Sequence, residues 1–210
     1  MNTRHTLPGD IERTSMSIIA AELAERGIVL PPEHEAVVKR VIHTTADFDY
    51  AENLVFSPGA VERGMEALRA GCDIVTDTQM AKAGVNKTIL ARLGGEVHCF
   101  ISDPDVAGEA RDRGVTRAAV SMERAAALGK RCVFAIGNAP TALLALAELM
   151  EQGQLDPALV IGVPVGFVNV VESKERILAS AAPHIVARGR KGGSNVAAAI
   201  CNALLYQIER

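Results

Sequence analysis

From residue 72 onward, short runs rich in β-branched and apolar residues alternate with longer stretches whose apolar positions recur every three or four residues. The runs at 72–77, 96–101, 131–136, 159–165 and 184–187 are largely apolar without strict alternation, the pattern of strands covered on both faces. The stretches at 58–71, 78–93, 116–129, 139–152, 171–181 and 194–208 carry helical spacing. Five strands separated by helices predict an α/β fold of three layers, a five-stranded parallel sheet whose right-handed crossovers place helices on both faces. Ahead of this unit, 14–27 and 33–47 read as two further helices parted by the breaker pair Pro31-Pro32. The chain is therefore expected to be one domain over 1–210, with an N-terminal helical extension at 1–56 and an α/β sheet unit at 57–210.

Composition narrows the partners. Hydrophobic residues make up 49% of the chain but aromatic residues only 3%, and Trp is absent, so the core must be built from Ala, Val, Leu and Ile and offers no base-stacking surface. A formal net charge of −3 leaves no general basic field, which excludes nucleic acid and anionic membrane as default partners. No run of about 18 apolar residues is present and the N-terminus lacks a signal-type apolar region, so a cytoplasmic location is expected. Cys72, Cys99, Cys132 and Cys201 are scattered, without CxxC or ligand-spaced His, and read as small buried hydrophobes rather than a metal site.

In open α/β sheets the ligand lies beyond the carboxyl ends of the strands. The segment Arg188-Gly189-Arg190-Lys191-Gly192-Gly193-Ser194-Asn195 follows the last strand and opens the last helix, placing three cations and a glycine pair at a helix N-terminus. Glycine lets backbone approach a ligand, exposed N–H groups favour negative charge, and Arg offers a planar fork to a carboxylate or phosphate. A charged surface turn with Ser194 or Asn195 as N-cap accounts for the same residues. Asn138 and Thr141 in IGNAPTALLAL mark a second strand-to-helix junction, readable either as ligand donors or as a tight turn with Pro140 at the first helical position. Neither a P-loop nor a GxGxxG motif is present, so no nucleotide cofactor is indicated.

His43 stands toward the end of an amphipathic helix with Arg40 three residues before it, on one face. Imidazole carries protons near neutral pH, and a neighbouring Arg would favour its neutral form while binding a carboxylate. A lone helical His is more often solvated or structural. Asp47, Asp49 and Glu52 form an acidic patch beside Tyr50 able to bind metal or pair with basic residues, though a solvated loop with helix-capping carboxylates is the favoured reading, and His98 and His184 fall inside strands. No Ser–His–Asp set, carboxylate pair or zinc motif can be assembled.

These stretches together resemble the precorrin-8X methylmutases from about Ser15 to Tyr206. The resemblance is carried by SMSII at 15–19, RVIHTTADFDYAENLVFSPGAV at 40–61, DIVTDTQMAKAGVNK at 73–87, TRAAVSME at 116–123, AIGNAPTALLAL at 135–146, GVPVGFVNVVESKE at 162–175 and RGRKGGSNVAAAICNALL at 188–205. It implies a flavodoxin-like fold and an isomerase of cobalamin biosynthesis. In that family a methyl group moves from C-11 to C-12 of ring C, converting precorrin-8X to hydrogenobyrinate without an external methyl donor or cofactor. The resemblance assigns the proton donor or acceptor to His43.

A tetrapyrrole fringed by carboxylates calls for cations and N–H or hydroxyl donors around it. Arg40, Arg117, Arg188, Arg190 and Lys191, with Ser17, Thr78, Thr116, Asn138, Ser194 and Asn195, are the candidates to hold those groups. So broad a ligand also implies a site completed by a second subunit, a homodimer, with Phe48, Tyr50 and Phe56 as apolar anchors of the contact. Three rivals stay open: the same reaction on cobalt-precorrin-8, a corrinoid carrier that binds without converting, and a phosphate-binding α/β protein.

Overall fold

In the computed structural model, which describes residues 7–209, helices flank a twisted sheet on both sides. Residues 1–6 and 210, the ends of the expected 1–210 span, lie outside the described residues. The order is α1 (Pro8–Glu25), α2 (Pro32–Thr45), α3 (Tyr50–Asn53), β1 (Leu54–Phe56), α4 (Ala60–Arg69), β2 (Asp73–Thr76), α5 (Gln79–Gly84), α6 (Lys87–Arg92) and β3 (Val97–His98). There follow α7 (Pro104–Arg113), α8 (Arg117–Ala126), β4 (Cys132–Ile136), α9 (Pro140–Glu151), β5 (Leu159–Gly162), α10 (Val170–Leu178), β6 (His184–Ala187) and α11 (Ser194–Ile208).

The sheet has six strands in the order β1-β6-β5-β4-β2-β3, not five, and it is mixed rather than wholly parallel. β1 lies antiparallel to β6, pairing Leu54 with Ala187 and Phe56 with Ile185, while every other neighbouring pair is parallel. Residues 54–56, expected in the helical extension, are thus an edge of the sheet. Three residues between two helices are too few to display a period of two.

The apolar runs that predicted β4, β5 and β6 are explained by burial on both faces. Val133, Ala135, Leu159, Ile161, Ile185 and Ala187 face the helices α1, α2, α4 and α11. Phe134, Ile136, Val160 and Val186 face α8, α9 and α10. The N-terminal helices belong to the first of these layers: Val37, Val38, Val41 and Ile42 of α2 are buried in one cluster with Val196, Ile200 and Leu204 of α11. At about 1.5–3 kcal/mol for each fully buried aliphatic side chain, α2 is a core element rather than an appendage.

The stretch 78–93 divides into α5 and α6. Asn86 caps α6 by accepting from Ile89 N–H at 3.2 Å, and Asn202 of α11 pins the break by accepting from Asn86 N–H and donating to Gly84 O, both at 2.8 Å. Helix α7 was not expected, because only Val106 and Ala110 are buried and its apolar stripe is correspondingly thin, although Pro104 and a left-handed Gly114 mark its ends.

Candidate active site

The strand order doubles back between β2, which is followed by β3 on one side, and β4, whose successors build outward on the other. A crevice at such a reversal is where open α/β sheets bind ligands. Here it is filled from within. Asp77, directly after β2 and buried, accepts N–H bonds from Gly137 at 2.9 Å, Asn138 at 2.8 Å and Ala139 at 2.6 Å. Burial pushes its pKa up, while the three N–H donors pull the other way. This cradle of amides at the start of α9 is the geometry that elsewhere binds a phosphate, and the chain supplies its own carboxylate to it. Of the two suggested donors at this junction, Asn138 presents an exposed side chain, whereas Thr141 Oγ1 accepts from Thr116 Oγ1 at 2.9 Å. Asp77 escaped the sequence reading because its partners lie about a third of the chain away.

The glycine pair of the last strand-to-helix junction serves backbone packing before any ligand. Gly193 N–H donates to Val163 O at 2.9 Å, and a Cβ on Gly192 would stand 2.1 Å from the same oxygen. A Cβ on Gly137 would meet Ser194 Cα at 2.6 Å. The β4, β5 and β6 ends are therefore pressed together at these positions. Gly193, not Ser194 or Asn195, occupies the N-cap of α11. The Ser194 hydroxyl instead bonds that of Thr78 at 2.8 Å, and Thr78 caps α5 by accepting from Ala81 N–H at 3.1 Å. Asn195 is exposed.

The three cations of this loop have different partners. Arg188 Nε donates to Glu175 Oε1 of α10 at 3.0 Å. Lys191 Nζ donates to Asp47 and Asp49, each at 2.6 Å, and these carboxylates raise its pKa. Arg190 is exposed, its guanidinium 5.4 Å from the ring centroid of Phe167. Among the described residues no carboxylate pairs with Arg190 or with Arg117, which is exposed in the first turn of α8. Phe167 and Val168 are 82% and 78% exposed, giving the rim an apolar margin beside Arg190.

His43 lies in the last turn of α2 with an exposed imidazole. Its helix ends at Ala46 in the left-handed conformation, and the next residue is the Asp47 that Lys191 holds. The acidic patch beside His43 thus joins the β6–α11 loop to the helix bearing the imidazole. Arg40 does not turn to this rim: its guanidinium donates to Glu12 of α1 and lies 5.1 Å over the Tyr206 ring. Ser17 donates to Arg13 O within its own helix, at 3.0 Å. The structure therefore brings together Thr78, Ser194, Asn138, Arg190 and Lys191 at the strand ends, and it commits Arg40, Arg188 and Ser17 to partners in neighbouring or identical helices.

The rim is open. Cavities of about 450 Å³ are walled by Glu123, Ala126 and Leu149 between α8 and α9, and by Met150, Leu155 and Pro183 near the opposite strand ends, and none of the candidate residues lines them. Among the described residues, no group of three His, Cys, Asp or Glu is placed to hold a metal, and no helix is long and apolar enough to cross a membrane. The four cysteines are free thiols; burial pushes Cys132 and Cys201 up to about 12.

Fold and rim define a doubly wound α/β protein whose strand ends are edged by cations, with the amide cradle at its switch point already occupied by the chain's own Asp77. Residues 10–207 match the precorrin-8X methylmutase family, and the chain belongs to that family. It is 49% identical over 205 residues to a cobalt-precorrin-8 methylmutase of Salmonella typhimurium, spanning 96% of each chain. To a precorrin-8X methylmutase of Pseudomonas aeruginosa it is 41% identical, over 95% of each chain. The crystal structure of a precorrin-8X methylmutase from Thermus thermophilus superposes with a TM-score of 0.86 at 40% identity, covering 94% of this chain and 96% of that one.

Proposed function

We propose that this protein is a methylmutase of cobalamin biosynthesis that moves a methyl group from C-11 to C-12 of ring C, converting precorrin-8X to hydrogenobyrinate. The observation that carries this reading is membership of the methylmutase family over residues 10–207. The reaction is an isomerisation, so every atom of the substrate is kept and no methyl donor is consumed. His43, exposed at the end of α2, gives or accepts the proton that shifts the conjugated ring toward the product tautomer. Positioning supplies much of the remaining acceleration by holding the migrating carbon against its destination.

Ring carboxylates are held, in this reading, by Arg190, Arg117 and Lys191, with hydroxyl and amide donors from Thr78, Thr116, Asn138, Ser194 and Asn195. Arg190 and Arg117 are the foremost of these cations because neither has a carboxylate partner among the described residues, and Arg190 stands in the β6–α11 loop beside Phe167. Arg40, Arg188 and Ser17 serve by exchanging their present partners or by placing the helices that carry the others. A homodimer belongs to the same proposal, supported by the open rim and its exposed Phe167 and Val168. Tyr50 is not an anchor for it, being buried in the chain's own core, and Phe48 and Phe56 are engaged internally by Arg26 and His34. The order of the parallel strands, β3-β2-β4-β5-β6, supports the flavodoxin-like layout, with the whole chain as a single domain. Four free thiols support a reducing, cytoplasmic location.

A second reading, the same methyl shift on cobalt-precorrin-8, is favoured by the name of the 49% identical Salmonella relative. Incubation with each substrate, followed by visible absorption, decides between them. Conversion of precorrin-8X alone supports the first reading, conversion of the cobalt complex alone the second. Tight binding of hydrogenobyrinate without conversion of either would make the protein a corrinoid carrier.

A further inference from the structure

Lys174 sits on the buried face of α10, in the stripe Val170, Ser173, Lys174 and Ile177, and is fully buried. Its Nζ donates to Gly189 O and to Lys191 O, each at 2.8 Å. No carboxylate pairs with this ammonium among the described residues, although a buried cation is ordinarily matched by one. The carboxylates of the neighbouring ion pairs have partners of their own. Glu175 is bonded to Arg188, Glu148 and Glu151 to Arg176, and Asp47 and Asp49 to Lys191. Glu172, on the same helix, is exposed, and the buried His184 bonds Ala182 O at the start of β6. Burial alone lowers the Lys174 pKa to about 8.

We propose that Lys174 is a positioning residue of the methylmutase site, its buried ammonium gathering the carbonyls of Gly189 and Lys191 so that the loop presents Arg190 outward to anionic groups of the substrate. The inference rests on reading the 188–195 segment as the carboxylate-binding rim. Gly189 and Lys191 flank Arg190, so drawing both carbonyls inward to one point sets the direction of the residue between them. A compact ammonium with three donors suits converging carbonyls better than a planar guanidinium does. With no carboxylate paired to it among the described residues, the same charge adds a positive field beneath the rim that bulk water screens less than it screens a surface charge.

The test uses the full chain as Lys174→Met, Lys174→Arg and Arg190→Gln, titrated with hydrogenobyrinate by visible absorption and assayed for turnover of precorrin-8X. Lys174→Met removes the charge and both bonds at nearly constant volume. It is expected to raise the product Kd and substrate KM roughly tenfold, with kcat changed by less than about threefold. Lys174→Arg keeps the charge and recovers part of the loss. Product affinity of the native chain falls as pH rises through about 8, and that of the Lys174→Met variant is flat over the same range. A folded Lys174→Met variant that binds product as the native chain does overturns the proposal. Should that variant fail to fold, Lys174→Gln is titrated in its place, and product binding by that chain with native affinity overturns the proposal. Failure of the underlying reading looks different: Arg190→Gln then binds product with native affinity. Weakened Arg190→Gln beside an unaffected Lys174→Met removes the role of Lys174 alone.

Discussion

Lys191 Nζ lies 2.6 Å from Asp47 Oδ2, and this contact joins the loop behind β6 to the turn directly after the helix that bears His43. A second bond of the same length, to Asp49, leaves Lys191 shared between two carboxylates. Charge at the rim is thereby partly spent on holding the rim together. The contact is solvent-exposed, so its influence is on geometry more than on folding free energy.

Asp47→Asn is expected to lower kcat/KM about three- to tenfold while leaving the melting temperature nearly unchanged. The Lys191 ammonium holds the Asp47 carboxyl below its ordinary value of 3.8. A depressed carboxyl stabilises the fold above its unfolded pKa and ceases to do so as pH falls through the lower, folded value. Acid titration of both chains should therefore give a small stability difference that is present above the ordinary carboxyl value of 3.8 and is lost as pH falls below it through the lower, folded value.

His43→Ala is expected to reduce turnover by about 10²- to 10⁴-fold, the range of a lost general acid or base. Its affinity for hydrogenobyrinate should stay within about threefold of the native value, because the carboxylate-binding groups remain. Full turnover in this variant would remove His43 from the chemistry.

Asp77→Ala strands three N–H groups at the β2–β4 switch point, that of Gly137 buried and those of Asn138 and Ala139 partly so. A loss of about 3 kcal/mol in urea denaturation is expected, with a smaller loss for Asp77→Asn, which keeps one acceptor. An unchanged midpoint would mean that water replaces the carboxylate without penalty.

Gly192→Ala brings a methyl group to 2.1 Å from Val163 O, where backbone rather than a flexible side chain must move. Destabilisation of about 3 kcal/mol and loss of product binding are expected together, because the same loop carries Arg190 and Lys191. Gly108→Ala in α7, with nothing within 4 Å of the added carbon, is the control and should be neutral or stabilising by about 0.5–1 kcal/mol.

Lys174 gives a pH dependence of stability separate from that of binding. Its folded pKa of about 8 lies below the ordinary 10.5, so between those values the unfolded chain binds more protons and folding stability rises with pH. Measured as native minus Lys174→Met, the unfolding free energy should climb across that interval and level off above it. A flat difference would show that the ammonium is not desolvated.

The alternation of apolar runs and helical spacing determined the α/β class, five of the six strands and the placement of RGRKGGSN at a strand-to-helix junction, because burial on one or both faces imposes a local period. His43 was legible as a residue type able to carry a proton, and it gained its assignment only through the motif around it. What the tertiary structure alone decided are relationships between residues far apart in sequence. Asp77 meets Gly137 across 60 positions, Lys191 meets Asp47 across 144, and β1 becomes a strand only where β6 offers its free edge. Lys174 falls within a stretch of helical spacing, and only the packing of α10 turns it inward, toward carbonyls on a loop that begins after β6. Periodicity records whether a position is buried; which polar partner waits there depends on the order of strands in the sheet, and local sequence pattern does not carry that order.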